Sequence, residues 1–293
     1  MLRRLWIILE MIKIEHTVFA LPFALCAALV AARSLPAGFP SWAQLGWILL
    51  AMVGARSSAM TFNRLVDQEI DLHNPRTATR ALPAGVITRG QAWIFTLVTT
   101  ALFVLASGML NRLALLLSPL ALLIIWGYSY TKRFMTWSHV VLGVALGIAP
   151  SAAWIAITGT LALPALVLSA AVVCWTAGFD IIYACQDIAF DRESGLYSLP
   201  ATFGVPRALV ISSLLHAMAF TLLVVFGWLA ALRFGYGLSL LPVAALLFWQ
   251  HRLVHPDDLS RINAAFFTTN GLISLVLLIG TTCDVLVGYS HPY

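Results

Sequence analysis

Two nine-residue stretches decide how the whole chain is interpreted: NRLVDQEID at residues 63–71 and YACQDIAFD at residues 183–191. Each ends a long apolar segment and carries an oxygen-bearing side chain at every fourth position. These side chains are Asn63, Asp67 and Asp71 in the first stretch and Tyr183, Asp187 and Asp191 in the second. On an α-helix this spacing keeps the three side chains on one face, with a drift of about 80° across the set. The aspartate pairs are 120 residues apart, so we expect two related halves that face each other across a cavity.

The composition excludes a water-soluble protein. The chain has 293 residues, of which 61% are hydrophobic and only 10% charged, and its mean hydropathy is +0.92. Soluble domains carry roughly 25% charged residues. The 17 basic residues occur singly or in pairs, which argues against a nucleic-acid partner and makes the net charge of +5 a matter of membrane topology. The chain is therefore expected to be an integral membrane protein surrounded by lipid.

The length of the apolar segments predicts an all-α protein with about nine transmembrane helices, since one crossing needs about 20 apolar residues. The predicted spans are 17–34, 43–62, 91–110, 113–130, 138–158, 162–182, 208–232, 236–250 and 265–288. Nothing resembles a second, soluble domain. We therefore expect residues 1–293 to form a single membrane domain, with two motif loops at about 63–90 and 183–207.

The distribution of basic residues predicts the orientation. With the N-terminus in the cytoplasm, thirteen Lys and Arg residues lie on the inner side and three on the outer side, which satisfies the positive-inside rule. The inner set is Arg3, Arg4, Lys13, Arg64, Arg76, Arg80, Arg89, Lys132, Arg133, Arg192, Arg207, Arg252 and Arg261. We expect a multi-pass protein of the inner (cytoplasmic) membrane, with both motif loops in the cytoplasm.

The carboxylates of the two stretches point to a metal. Seven of the twelve acidic residues lie in or next to these stretches, and carboxylates that converge at a membrane edge repel unless a cation lies between them. Oxygen ligands without a His or Cys set favour Mg²⁺, which typically bridges carboxylates to substrate phosphates. Nearby basic residues are suited to the remaining phosphate oxygens. The alternative is that each stretch is a solvated helix end, paired with its own arginines.

The motifs N-x₃-D-x₃-D and D-x₃-D resemble those of the UbiA-type aromatic polyprenyltransferases, membrane enzymes that attach an isoprenoid tail to an aromatic ring. The likeness extends over nearly the whole chain. It includes Lys13–Thr17, Tyr128–Arg133, Gly143–Pro150, Ser198–Pro200 and Arg261–Asn263. The resemblance implies nine transmembrane helices around a central cavity. In one respect the chain departs from the pattern: many relatives have Asp after the motif's Asn, where this chain has Arg64.

The resemblance also implies roles for individual residues. The catalytic residues would be Asp67, Asp71, Asp187 and Asp191, and these four with Asn63 would bind Mg²⁺. The diphosphate of a polyprenyl donor would be bound by Lys13, Asn63, Arg64, Tyr130, Lys132, Arg133 and Tyr183.

The expected function is Mg²⁺-dependent transfer of a polyprenyl group from polyprenyl diphosphate to an aromatic hydroxy acid, with 4-hydroxybenzoate as the expected acceptor, in ubiquinone or menaquinone biosynthesis. A dihydroxynaphthoate acceptor, as in the menaquinone route, is an alternative within the same chemistry. A cation-coupled transporter is an alternative from another class, but it would need carboxylates deep inside broken helices. No obligatory protein partner is evident from the sequence.

The predicted topology is tested by cysteine labelling. A single cysteine at His73 or Ser194, in a background that lacks the four native cysteines, is expected to react with a membrane-impermeant maleimide only after the cytoplasmic face is exposed. Labelling of either position from outside in intact cells would contradict the orientation.

Overall fold

The computed structural model describes Ile7 and residues 17–290, all in helices and connecting loops apart from one isolated bridge between His255 and Asp258. The helices in chain order are α1 (Thr17–Ala32), α2 (Trp42–Val66), α3 (Gln68–His73), α4 (Arg89–Leu110), α5 (Arg112–Thr131), α6 (Ser138–Thr158), α7 (Leu163–Ala184), α8 (Ile188–Glu193), α9 (Leu199–Phe203), α10 (Val205–Leu229), α11 (Phe234–Arg252) and α12 (Thr269–Ser290). A 3₁₀ turn at Cys185–Asp187 follows α7, and a π turn at Ala264–Thr268 precedes α12.

The all-helical membrane architecture is confirmed, but the number of nine crossings is not. Each predicted span coincides with one long helix, and within the described residues seven helical segments are long and apolar enough to cross a membrane. Helix α1 has 16 residues, fewer than a crossing usually needs. Helix α11 is not among the seven, and its last three residues, Gln250, His251 and Arg252, are polar.

Polar side chains fix where several helices begin. Ser41 and Thr88 each form a capping box at the start of α2 and α4, in which the hydroxyl accepts a hydrogen bond from a backbone N–H three residues later. The side chain of Asn111 caps α5 and also donates to the carbonyl of Ile155 at 2.7 Å. These bonds satisfy backbone groups that a helix end leaves open.

The helices enclose a cavity of about 1080 Å³. Helix α2 packs against α4, α6 against α7, and α1 against both α6 and α12. The cavity walls are mostly aliphatic side chains of α2, α5, α6 and α7. Polar groups collect toward the ends of α2 and α7, where Arg64, Arg80, Asp180 and Tyr183 reach the cavity. We call this end of the bundle the motif side.

Two glycines let α6 approach α7 closely. A Cβ atom at Gly143 would lie 2.5 Å from the carbonyl oxygen of Val173, and one at Gly147 would lie 2.9 Å from that of Ser169. Both distances are shorter than van der Waals contact allows. Since α6 and α7 form one wall of the cavity, these glycines set the position of that wall.

The replacement Gly143→Ala is expected to destabilise the protein by about 1–3 kcal/mol, because the added methyl group would push against backbone. Thermal unfolding of the purified protein in detergent measures this. The matched control is Gly46→Ala in α2, where nothing lies within 4 Å of the added Cβ, so stability should be equal or slightly higher. Equal melting temperatures for Gly143→Ala and the unchanged protein would contradict the close approach.

Candidate active site

The site is built around four aspartates, beginning with Asp67 at the end of α2. The residue is 2% exposed, and its carboxylate accepts hydrogen bonds from Lys132 Nζ at 2.6 Å and Arg133 Nη2 at 3.0 Å. Asn63, one turn earlier, donates to it at 3.1 Å. Residues 132 and 133 follow α5, so this buried carboxylate ties the end of α2 to the end of α5.

Asp71, in the short helix α3, is also buried and paired with two arginines. Nη1 of Arg80 lies 2.9 Å from both carboxylate oxygens, and Nη1 of Arg64 lies 3.6 Å from Oδ2. Arg64 is itself buried in the last turn of α2. The loop after α3 is therefore folded back so that its arginine faces the motif.

The second motif is joined to the first by Arg76. Its Nε and Nη2 donate to the two oxygens of Asp187 at 2.9 and 2.6 Å, and its Nη1 donates to the hydroxyl of Tyr183 at 3.3 Å. Asn74 adds a bond to Asp187 at 3.3 Å. A paired Arg and carboxylate in this fork geometry gives strong, oriented binding. The two motif loops thus form one connected surface.

The charges around Arg76 affect its titration. Burial by itself lowers the pKa of the Arg76 guanidinium, but the hydrogen bond and the negative charge of Asp187 outweigh that effect, with contributions from Tyr183 and Asp71. The pKa therefore lies above its ordinary value, and Arg76 stays positively charged at every physiological pH.

Asp191 differs from the other three aspartates because its hydrogen-bond partner is uncharged. It accepts a bond from the hydroxyl of Ser198 at 2.8 Å. The backbone N–H of Tyr197 donates to the carbonyl of Lys132 at 2.7 Å. These bonds fasten the second motif loop to the loop after α5.

The prediction of one continuous helical face through each motif is wrong, and both motifs depart from it at their first aspartate. Asp67 has φ −93° and ψ 6°, and Asp187 has φ −105° and ψ 7°. Asp67 separates α2 from the six-residue helix Gln68–His73, whereas Asp187 ends the 3₁₀ turn after α7 and precedes the six-residue helix Ile188–Glu193. The break turns the later aspartate of each motif toward neighbouring loops. The shared local structure agrees with the proposed relation between the two halves.

The structure places the predicted diphosphate ligands in different surroundings. Arg64, Lys132, Arg133 and Tyr183 join the network described above. Tyr130 is 45% exposed and packs against Phe62, with the Arg133 guanidinium 5.5 Å from its ring centre. Lys13 lies outside the described residues.

In this structure basic side chains compensate the charge of three of the four carboxylates. Five basic side chains already pair with three of them: Arg64, Arg76, Arg80, Lys132 and Arg133. Within the described part of the chain, no group of three or more His, Cys, Asp or Glu side chains is arranged to hold a metal ion. The candidate metal ligands nevertheless suit Mg²⁺, because all of them are carboxylate or amide oxygens.

Asp180, for which the sequence pattern predicted no role, lines the cavity one turn before Tyr183. Its Oδ2 lies 2.7 Å from Nδ1 of the buried His139. The backbone N–H of Leu199 donates to the other ring nitrogen, Nε2, at 3.3 Å. In this arrangement Nδ1 carries the proton and donates it to Asp180. A single acid within an apolar span gave no repeating pattern from which this pair was predictable.

Other polar groups of the cavity were also missed. Arg56 lies two helical turns before Arg64 on α2 and lines the cavity together with Tyr128. The cavity therefore has a polar region beneath the aspartates and a long apolar remainder.

The chain is similar to known proteins in sequence and in fold. The sequence profile of the UbiA prenyltransferase family matches residues 20–272. The 4-hydroxybenzoate octaprenyltransferase of Citrobacter koseri is 32% identical over 238 residues, which cover 80% of this chain and 82% of that protein.

Solved structures share the fold. An apo UbiA homolog from Aeropyrum pernix K1 superposes with a TM-score of 0.83 and 33% identity, over 92% of this chain and 98% of that one. A UbiA homolog from Archaeoglobus fulgidus bound to GPP and Mg²⁺ superposes with a TM-score of 0.74 and 22% identity, over 96% and 99%.

The bridge between the motifs is tested by a double-mutant cycle. Arg76→Gln and Asp187→Asn are expected to show a coupling free energy of about 0.5–3 kcal/mol in unfolding experiments in mixed micelles, as residues in direct contact do. Arg76→Gln combined with Asp257→Asn, in a distant loop, should be additive. Additivity of Arg76→Gln with Asp187→Asn would show that the pair does not join the motifs.

Proposed function

The chain belongs to the UbiA prenyltransferase family and is a prenyltransferase, and on that basis we propose that it transfers a polyprenyl group from polyprenyl diphosphate to 4-hydroxybenzoate in quinone biosynthesis. The name of the Citrobacter koseri relative supports this acceptor. The GPP bound to the Archaeoglobus fulgidus homolog supports a prenyl diphosphate donor. A transporter is set aside, because the motif carboxylates lie at helix ends.

The observation that carries the proposal is the cluster of charged groups at the mouth of an apolar cavity. Breaking the allylic C–O bond leaves a diphosphate anion, and preorganised cations stabilise the charge that develops on it. Five basic side chains meet here, from α2, the loop after α3 and the loop after α5. The cavity accommodates the apolar tail and keeps water from the reacting carbon.

We further propose that Asp67, Asp71, Asp187 and Asp191, with Asn63, hold Mg²⁺. The metal when bound neutralises charge on the diphosphate. The carboxylates are occupied by arginine and lysine, so donor binding requires these cations to turn toward phosphate oxygens. The Mg²⁺ bound to the Archaeoglobus fulgidus homolog supports this metal. The site would face the cytoplasm, in the orientation predicted from the distribution of basic residues.

The polar region beneath the aspartates suits the aromatic acid. The guanidinium of Arg56 would pair with the acceptor carboxylate, as Arg does in general with carboxylates. Asp180 would accept the proton that the acceptor ring loses. The hydrogen bond from His139 would hold the carboxylate of Asp180 in place. These assignments distinguish an acceptor subsite from the diphosphate subsite one helical turn away.

The proposal is tested by charge-removing substitutions. Asp67→Asn and Asp187→Asn keep the side-chain shape but remove the charge that metal and diphosphate binding need. Each is expected to lower the rate of prenyl transfer by about 10²–10³-fold, measured by mass spectrometry in membranes supplied with 4-hydroxybenzoate and dihydroxynaphthoate. Excess chelator should also stop turnover.

The control is Asp257→Asn, in the loop between α11 and the π turn, which is expected to leave the rate unchanged. Rates are normalised to the amount of folded protein. Near-normal rates for both motif variants would return the aspartates to a purely structural role. If a product formed only from dihydroxynaphthoate, 4-hydroxybenzoate would be the wrong acceptor.

A further inference from the structure

Five aromatic rings form a continuous surface on one side of the cavity, which we call the aromatic wall. Its members are Phe19 of α1, Phe179 and Tyr183 of α7, and Phe266 and Phe267 of the π turn, and all of them line the cavity. The ring centres of Tyr183 and Phe266 are 4.3 Å apart, those of Phe266 and Phe267 are 4.7 Å apart, and those of Phe179 and Phe266 are 5.2 Å apart.

The aromatic wall adjoins the cluster of basic side chains proposed to bind the diphosphate. Tyr183 lies on α7 between Asp180, three residues earlier, and Asp187, four residues later. Its hydroxyl receives a hydrogen bond from Arg76, whose guanidinium lies 5.5 Å from the centre of the same ring. The carbon that loses diphosphate is one bond away from the phosphate oxygens, so it would react next to Tyr183 and Phe266.

The π turn that carries Phe266 and Phe267 is held by two dedicated amides. Gln250 of α11 is fully buried and donates through Nε2 to the carbonyl of Ala265 at 2.8 Å. Asn270, also fully buried, donates to the carbonyl of Phe266 at 2.7 Å. A π turn weakens the regular helical bonds and is frequent at functional sites. Here it presents two consecutive phenylalanines to the cavity, where both are partly exposed.

We propose that the aromatic wall stabilises the allylic cation formed during transfer, an inference that rests on the proposed function. The C1–O bond of the donor breaks, and both electrons leave with the diphosphate oxygen. The positive charge, shared between C1 and C3, is attracted to the ring faces of Phe266 and Phe267. A ring carbon of the acceptor then supplies the electron pair of the new C–C bond, and its proton passes to Asp180.

Fluorination separates this role from simple packing, because fluorine weakens the negative ring face while leaving the size of the ring nearly unchanged. Phe266 and Phe267 are replaced separately by 4-fluoro-, 3,5-difluoro- and 3,4,5-trifluorophenylalanine. The single-turnover rate of prenyl transfer at saturating substrates is expected to fall steadily with each added fluorine, by on the order of tenfold across the series at the more important position. Melting temperatures should stay constant.

The matched control is the same series at Phe226, a fully buried ring that packs against Tyr236 at 5.8 Å outside the cavity. Its fluorination should leave the rate unchanged. A second readout is the product of Phe266→Leu, for which the fraction of prenyl alcohol, formed by capture of the cation by water, should rise.

A rate independent of fluorine number at both positions, in a protein whose unsubstituted form is active, would overturn the aromatic wall while leaving the proposed function intact. An unsubstituted protein that prenylates neither aromatic acid would overturn the proposed function, and the inference with it.

Discussion

Neutralisation of buried and partly buried carboxylates by basic side chains from neighbouring loops is the interaction on which this structure depends. A carboxylate taken out of water is stable only when it is paired and hydrogen-bonded. Asp67 recruits the loop after α5, Asp71 recruits Arg80, and Asp187 recruits Arg76. The loops on the motif side are thus ordered by the charges of the site itself. Removing one partner would expose the other to an apolar surrounding and cost more than the pair contributes.

Along the cavity, three regions follow one another: a charged region, a polar region and an apolar region. Arg64 and Arg80 of the motif side reach one end of the cavity, a few polar groups follow around Asp180, and apolar side chains form the remaining walls. Helix α7 sets this order, since Phe179, Asp180 and Tyr183 lie on its last turns and Asp187 lies in the 3₁₀ turn that follows. A donor with an anionic head and an apolar tail matches this sequence of environments, and so does a small acid that carries a hydroxyl.

Hydropathy was sufficient to predict the long helices, because each needs an unbroken apolar run whatever its neighbours are. It was not sufficient to count crossings, since α1 and α11 combine apolar residues with short length or polar ends. The aspartate spacing predicted the two motifs but not the breaks at Asp67 and Asp187, which depend on partners far along the chain. The π turn had no signature, because Ala264–Thr268 reads as ordinary apolar helix. Contacts such as His139 with Asp180 join residues 41 positions apart, and periodicity carries no information about such pairs.

The bridge from Arg76 to Asp187 also restricts how such a chain can change over generations. A mutation that removes either partner leaves the other charge without its ion-pair partner, so a substitution at one position is best tolerated when the other changes as well. Changes in the two motif loops are therefore coupled at this pair. A chimera that takes its first motif loop from one relative and its second from another would inherit this mismatch unless both partners of the bridge came together.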